Sequence, residues 1–354
     1  MKSIKLRSNK REVWVGDSNP IIVNCNVGIN NKSNLQIELE KIDMLFSNEE
    51  TTPDTMMDLS ICENNPSIAK YIIDKYSIPV GIVPVYSICK DVGIDKEHFI
   101  NHIIKNAEDG VAFMTMHFTA DNDIYEVAKR ERKIPVTSRG GAIILHDMLY
   151  NNRKQNIYRE CINEIIKLTK KYNFVISLGT TFRPAGIIDA CDTAHIMETK
   201  RQIELSHYFQ SHGVSVIVEN VGHISLDKIM IHSTLLKQMN APIMPLGPIV
   251  IDSAIGNDHI ASAIGAAFMG YYNCAHIINA ISPSEHLTSL FSIEDSKNAM
   301  IAAKIAAKTV NVIKFSELML KEEDVYNHRS MRKSCLITDT TSCNRCDKLC
   351  PLKM

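Results

Sequence analysis

The sequence predicts an α/β fold: a (β/α)8 barrel core with an N-terminal extension and a C-terminal tail that carries cysteines. Two observations carry the barrel and a third carries the tail. Short apolar runs, the signature of buried strands, recur every 20 to 40 residues. The segments between them place apolar residues three and four apart, which is helical period. Three cysteines fall within the last twelve residues, after the alternation has ended. Strands that alternate with helices build a parallel sheet, and eight of them suggest closure into a barrel. An open doubly wound sheet is the alternative.

In chain order, residues 1–50 form the extension, with Ile21–Val27 as a further strand candidate ahead of the eight. The eight are Thr55–Leu59, Gly81–Tyr86, Val111–His117, Ile134–Thr137, Phe174–Leu178, Val214–Glu219, Pro242–Leu246 and His276–Ile281, within a barrel spanning 51–293. Helices are expected at Ser67–Tyr76, Lys96–Ala107, Lys154–Tyr172 and Leu226–Met239. In Lys154–Tyr172 the apolar stripe is Ile157, Cys161, Ile165 and Leu168. A long Ala-rich helix covers 294–320, and the polar stretch 321–354 reads as a flexible arm that carries the cysteines.

Composition excludes several classes. With 45% apolar and 22% charged residues, the chain is an ordinary globular one rather than disordered or fibrous. Lys+Arg (39) and Asp+Glu (40) leave a net charge of −1, so there is no basic footprint for nucleic acid. No apolar run reaches the roughly 18 residues of a membrane span. The basic N-terminus has no apolar stretch behind it, so it is not read as a signal peptide and a cytoplasmic chain is expected. Seven of the ten cysteines (Cys25, Cys62, Cys89, Cys161, Cys191, Cys274 and Cys335) follow no disulfide framework.

Polar residues recur where the apolar runs end, at the expected barrel mouth. They are Asn26, Asp58, Ser60, Tyr86, His117, Ser138-Arg139-Gly140-Gly141, Arg183, Glu219 and His223. An Arg-Gly-Gly turn beside a second guanidinium is suited to phosphate or carboxylate. An isolated Arg-Gly-Gly turn is more often a solvated loop. His223 and His286 both follow strands, and two imidazoles alone cannot close a structural zinc site. A metal held by them would keep open positions for water or ligand. Cys343-x2-Cys346-x3-Cys350-Pro351 reproduces the last three ligand positions of a bacterial ferredoxin run, with Thr340 where the first cysteine would stand. Three thiolates can hold a 4Fe–4S cluster and leave one iron free, as radical chemistry with S-adenosylmethionine requires. A zinc knuckle with Cys335 as fourth ligand is the other reading.

These motifs together resemble the phosphomethylpyrimidine synthase (ThiC) family of non-classical radical S-adenosylmethionine enzymes. The resemblance is carried in order by VNCNVG, TMMDLS, GIVPVY, TSRGG, SLGTTFRPAGIIDA, ENVGH, LGPIVIDSAIGNDHIASAIGAA and SPSEHL, and it resumes at the terminal cysteines. It implies substrate contacts at Asn26, Met57, Tyr86, His117, Ser138, Arg139, Gly140, Arg183 and Glu219. It implies zinc or iron(II) on His223 and His286, and a 4Fe–4S cluster on Cys343, Cys346 and Cys350. It further implies a homodimer, an external electron donor and a phosphorylated substrate, 5-aminoimidazole ribonucleotide, rearranged to the hydroxymethylpyrimidine phosphate of thiamin biosynthesis.

The chain also departs from the family pattern. Thr180-Thr181 replaces Asp-Gly, which removes a carboxylate expected to hold substrate. Met244 replaces a tyrosine, and Glu219-Asn220-Val221-Gly222-His223 replaces Glu-Gly-Pro-Gly-His. The last cysteine spacing is x3 instead of x4, and the segment before the cysteines is shortened. These changes keep two alternatives in view: a paralogue of the anaerobic 5-hydroxybenzimidazole synthase type, and a barrel that binds ribonucleotide or S-adenosylmethionine without turnover.

Overall fold

The structure, a computed structural model, describes residues 3–62, 67–88, 93–288, 291–337, 343, 345–346 and 349–354. Cys89 and Thr340 lie outside the described residues. The chain divides into two units, Met1–Ala307 and Lys308–Met354.

The first unit opens with an antiparallel hairpin, β1 (Ile4–Arg7) and β2 (Glu12–Val15), registered Ile4 to Val15 and Arg7 to Glu12. Period-two alternation buries Leu6, Val13 and Val15, while Trp14 stays half exposed with Lys5 Nζ 4.7 Å above its ring. Eight parallel strands follow: β3 (Ile22–Val27), β4 (Thr55–Asp58), β5 (Val80–Ile82), β6 (Phe113–Met116), β7 (Val175–Leu178), β8 (Val216–Asn220), β9 (Ile243–Pro245) and β10 (Ile277–Ala280). Their order is β10-β3-β4-β5-β6-β7-β8-β9. The remaining seam, β9 against β10, is bridged at its start by His276 N–H donating to the Ile243 carbonyl at 2.9 Å. The His276 ring fastens the same point, since its Nδ1 accepts from Ile243 N–H at 3.0 Å and its Nε2 pairs with Asp17 at 2.9 Å. The fold is therefore the expected (β/α)8 barrel.

One strand differs from expectation. Ile134–Thr137 is irregular chain, and its place in the eight is taken by β3. Both edges of β6 are already paired, with β5 and β7, so no edge is left beside it. Pro135 also lacks the N–H a ladder needs, and Ile134 is 52% exposed. The barrel thus begins ahead of residue 51, inside the stretch read as an extension.

The helices follow the apolar periodicity, with start points set by capping side chains. Ser67 accepts from Lys70 N–H ahead of helix Ile68–Tyr76, and Asp95 accepts from His98 N–H ahead of Lys96–Glu108. The expected Lys154–Tyr172 helix is two, Ile157–Glu160 and Ile162–Tyr172, broken at Cys161. Leu226–Leu236 continues as one 3-10 turn to Met239. Near the C-terminus, helix Ile293–Lys314 stops at the extended Phe315, and a further helix, Ser316–Arg332, runs into the start of the stretch 321–354 expected as a flexible arm.

Candidate active site at the barrel mouth

Strands buried on both faces were expected to be apolar, yet several inward positions carry polar side chains tied into two tiers. Asn24 Nδ2 donates to Asn279 Oδ1 at 2.6 Å and to Asn26 Oδ1 at 2.9 Å, and Thr55 Oγ1 donates to Asn24 Oδ1 at 3.0 Å. This tier joins β10, β3 and β4. Across the barrel Glu219, 4% exposed, accepts from the hydroxyls of Thr115 and Ser177, the latter at 3.0 Å. That tier joins β6, β7 and β8. Burial pushes the Glu219 carboxyl above its usual range, against the pull of the two hydroxyls and of Arg183.

Above these tiers lies a cavity of about 560 Å³ at the C-terminal ends of the strands. Asn26, Met57, Tyr86, His117, Ser138, Arg183, Glu219, His223 and His286 all line it, although they are spread over most of the barrel sequence. Arg139 lines a neighbouring cavity of about 520 Å³ that shares Asn26 and Leu59 with the first. Its guanidinium lies 5.5 Å from the centre of the Tyr86 ring. Gly140 lines neither cavity. It allows close approach, because a Cβ there would collide with the His117 ring.

Ser138 and His117 form a buried pair, with Oγ 2.7 Å from Nε2. Ser138 also caps helix Arg139–Tyr150 by accepting from Gly141 N–H at 3.2 Å. The positive end of a twelve-residue helix thus begins at the cavity wall, which favours an anion there. Burial, aided by Arg183, pushes the His117 imidazole down to about 3, so the ring is neutral.

The loop bearing Arg183 is held from beneath by a residue the sequence did not single out. Glu198, fully buried on helix Thr193–Ser211, accepts from Thr119 Oγ1 (2.6 Å), Thr180 Oγ1 (2.5 Å), Thr181 N–H (2.5 Å) and Phe182 N–H (2.8 Å). Thr180 and Thr181 are themselves fully buried and do not line the cavity. Met244, also fully buried, stands in register beside Glu219.

His223 and His286 face each other with ring centres 5.4 Å apart. His223 Nδ1 pairs with Asp252 Oδ1 at 2.7 Å, and His286 Nδ1 with Asp258 Oδ1 at 2.9 Å. Each carboxylate occupies one nitrogen and leaves Nε2 as the ligating atom, the orientation seen around bound zinc or iron. The pair fits a metal with open positions. Asp252 and Asp258 were invisible as site residues in the sequence because their partners lie 29 and 28 positions away.

Cys343, Cys346 and Cys350 belong to the second unit, with Cys346 exposed and the other two half-buried. Leu349 N–H donates to the Cys346 carbonyl at 3.2 Å, and Cys350 precedes the turn Pro351–Lys353. Three soft, accessible thiols suit an iron–sulfur cluster by donor chemistry.

Residues 2–336 match the model of the Radical SAM ThiC family. The chain belongs to that family. Cys343, Cys346 and Cys350 follow the matched stretch. The Carboxydothermus hydrogenoformans protein named phosphomethylpyrimidine synthase is 33% identical, over 96% of this chain and 85% of its own length. The protein of that name from Archaeoglobus fulgidus is 34% identical, over 94% of this chain and 84% of its own. Among solved structures, a Xanthomonas albilineans dihydropteroate synthase superposes with a TM-score of 0.50 at 9% identity, covering 89% of this chain and 99% of its own. That likeness concerns the fold alone. As a radical SAM family member the chain is an enzyme, and no helix among the described residues is long and apolar enough to cross a membrane.

Proposed function

We propose that this chain is a phosphomethylpyrimidine synthase, which rearranges 5-aminoimidazole ribonucleotide to 4-amino-5-hydroxymethyl-2-methylpyrimidine phosphate for thiamin biosynthesis. The observation that carries the proposal is the single cavity shared by the His117–Ser138 pair, Arg183, Glu219 and the oriented His223–His286 pair. The relatives reported above carry this one activity in their names, and neither alternative gains support from them.

In this reading the substrate phosphate binds at Ser138, Arg139 and Gly140, with Arg183 adding a second guanidinium. The neutral His117 ring holds the Ser138 hydroxyl in place. Glu219, fixed by Thr115 and Ser177, accepts from the amino or hydroxyl groups of the substrate, and Asn26, Met57 and Tyr86 close the base and ribose against water. Thr180-Thr181 brings no carboxylate to that loop, and among the described residues the acids that line the cavity are Glu219 and Glu285. His223 and His286 would hold zinc or iron(II), oriented by Asp252 and Asp258, to anchor S-adenosylmethionine. Cys343, Cys346 and Cys350 would hold the 4Fe–4S cluster. When bound, the cluster would pass one electron from an external donor to S-adenosylmethionine, which would split into methionine and a hydrogen-abstracting 5′-deoxyadenosyl radical.

A homodimer fits the outer apolar face of helix Asp258–Tyr271, where Ile260, Ile264, Phe268 and Tyr271 are 43–62% exposed. A cytoplasmic location fits the free cysteines among the described residues.

The test is anaerobic. The protein is loaded with iron and sulfide, then given dithionite, S-adenosylmethionine and 5-aminoimidazole ribonucleotide, and all products are read by mass spectrometry. Substrate-dependent 5′-deoxyadenosine together with the hydroxymethylpyrimidine phosphate is expected. A hydroxybenzimidazole product, or a loaded cluster without substrate-dependent 5′-deoxyadenosine, overturns the proposal.

A further inference from the structure

Behind the turn that carries Glu219 and His223 stands a second cluster of metal-ligating side chains. Cys191, His195 and His232 each bring one ligand atom to within 4.8 Å of the others. Both imidazoles are buried, with ring centres 4.3 Å apart, and Cys191 is half-buried. Asn220, next to Glu219, organises them. Its Oδ1 is the acceptor side of the amide, because it receives Val221 N–H at 2.6 Å while its Nδ2 donates to Gln202 Oε1 at 2.6 Å. The same oxygen lies 2.8 Å from His232 Nε2 and 3.3 Å from His195 Nε2. These contacts assign the proton of each ring to Nε2. His195 Nδ1 accepts from Cys191 N–H at 3.1 Å. His232 Nδ1 is left as a buried lone pair with no hydrogen-bond partner.

A buried acceptor without a donor is costly, and a cation is the natural partner for a lone pair in a cluster that also holds a thiol and a second imidazole. Burial also holds both rings neutral, with His195 pushed down to about 4 and His232 well below its usual value. Neutral imidazole is the ligating form.

We propose that Cys191, His195 and His232 form a second metal site, separate from the His223–His286 pair, which takes a zinc-type divalent ion. Two imidazoles and one thiolate make a borderline-soft donor set suited to zinc, and the half-buried position of Cys191 leaves the fourth place to water. On binding, the thiol proton passes to solvent and the metal–sulfur bond replaces it, while Cys191 N–H releases His195 Nδ1 so that the two Nδ1 lone pairs can ligate. A tetrahedral zinc ion spaces its nitrogen and sulfur ligands about 3.3–3.7 Å apart, so the three atoms draw in by about an ångström. The ion is a positioning element: through Asn220 it braces a turn in which Val221 sits at φ 77°, between Glu219 and His223.

The test uses the full-length chain with Cys343, Cys346 and Cys350 replaced by serine, so that the terminal thiols are silent. Cobalt(II) is titrated in and absorption recorded, and bound zinc is counted by plasma mass spectrometry. A thiolate-to-cobalt charge-transfer band that saturates within two equivalents, the second being taken by the His223–His286 pair, is expected, and zinc should abolish it. Cys191→Ser should remove the band and lower the zinc count by one per chain. His232→Asn should weaken cobalt binding at least tenfold with its near-ultraviolet circular dichroism unchanged. The His223–His286 pair offers no thiolate and gives no such band. A parent chain without the band, or a Cys191→Ser chain with the parent's band and zinc count, overturns the site.

Discussion

At the residue scale, the buried groups around the mouth stabilise the fold in different ways. His117 is held neutral, with its pKa at about 3 in the fold against about 6.5 in the unfolded chain. The unfolded chain therefore takes up a proton that the folded chain refuses as pH falls below 6.5. The stability that His117 contributes is complete above that pH and is lost progressively on the way down to 3. Between pH 7 and 5 the native chain should lose about 2 kcal/mol through this group alone. Urea unfolding of the native chain and of His117→Gln checks this, since other groups cancel in the difference and the variant should show the flatter profile. Glu198 makes a different demand. Four donors converge on it, two of them backbone N–H groups, so Glu198→Ala leaves buried donors without a partner. A loss of about 3 kcal/mol is expected in urea unfolding, with a raised KM for the ribonucleotide, because Arg183 rides on the same loop. Sequence alone could not expose Glu198. It looks like one more charge on a helix, and only the fold brings it under Thr180–Phe182.

At the element scale, the alternation of apolar runs with helical segments made most of the barrel legible. Seven of the eight expected strands are present, because a parallel strand covered on both faces must be a short continuous apolar run. Ile134–Thr137 satisfied that pattern for another reason: its apolar side chains line the mouth, where Ile134 and Val136 face the cavity. Strand β3 was the harder case, since Asn24 and Asn26 interrupt its apolar run with the polar tier the barrel interior uses. The start of helix Arg139–Tyr150 is the element most exposed to a small change. Gly140→Ala would push a methyl group into the His117 ring and shift the Ser138 cap with it. A KM for 5-aminoimidazole ribonucleotide raised about tenfold, roughly 1.4 kcal/mol of binding, is expected from steady-state kinetics on the loaded enzyme.

At the scale of the whole molecule, the site residues legible from the sequence were those at strand ends, where topology makes distant positions neighbours. Their supports, Asp252, Asp258, Thr115 and Ser177, were not legible, because their partners are set by barrel closure rather than by spacing. Closure at the β9–β10 seam draws on the His276 backbone and ring. His276→Ala removes the Ile243 and Asp17 partners together and should cost about 2–3 kcal/mol, read as a lowered Tm in calorimetry. The His276 clasp lies at the base of the seam. At the rim, His223 follows the strand before the seam's first strand, and His286 follows its second. An ion shared by these two rings is then a tie-rod across the rim, opposite the clasp at the base. Chelation should make the barrel gape along one line rather than soften evenly, with faster amide exchange confined to Ile243, Met244 and Ile277–Ala280.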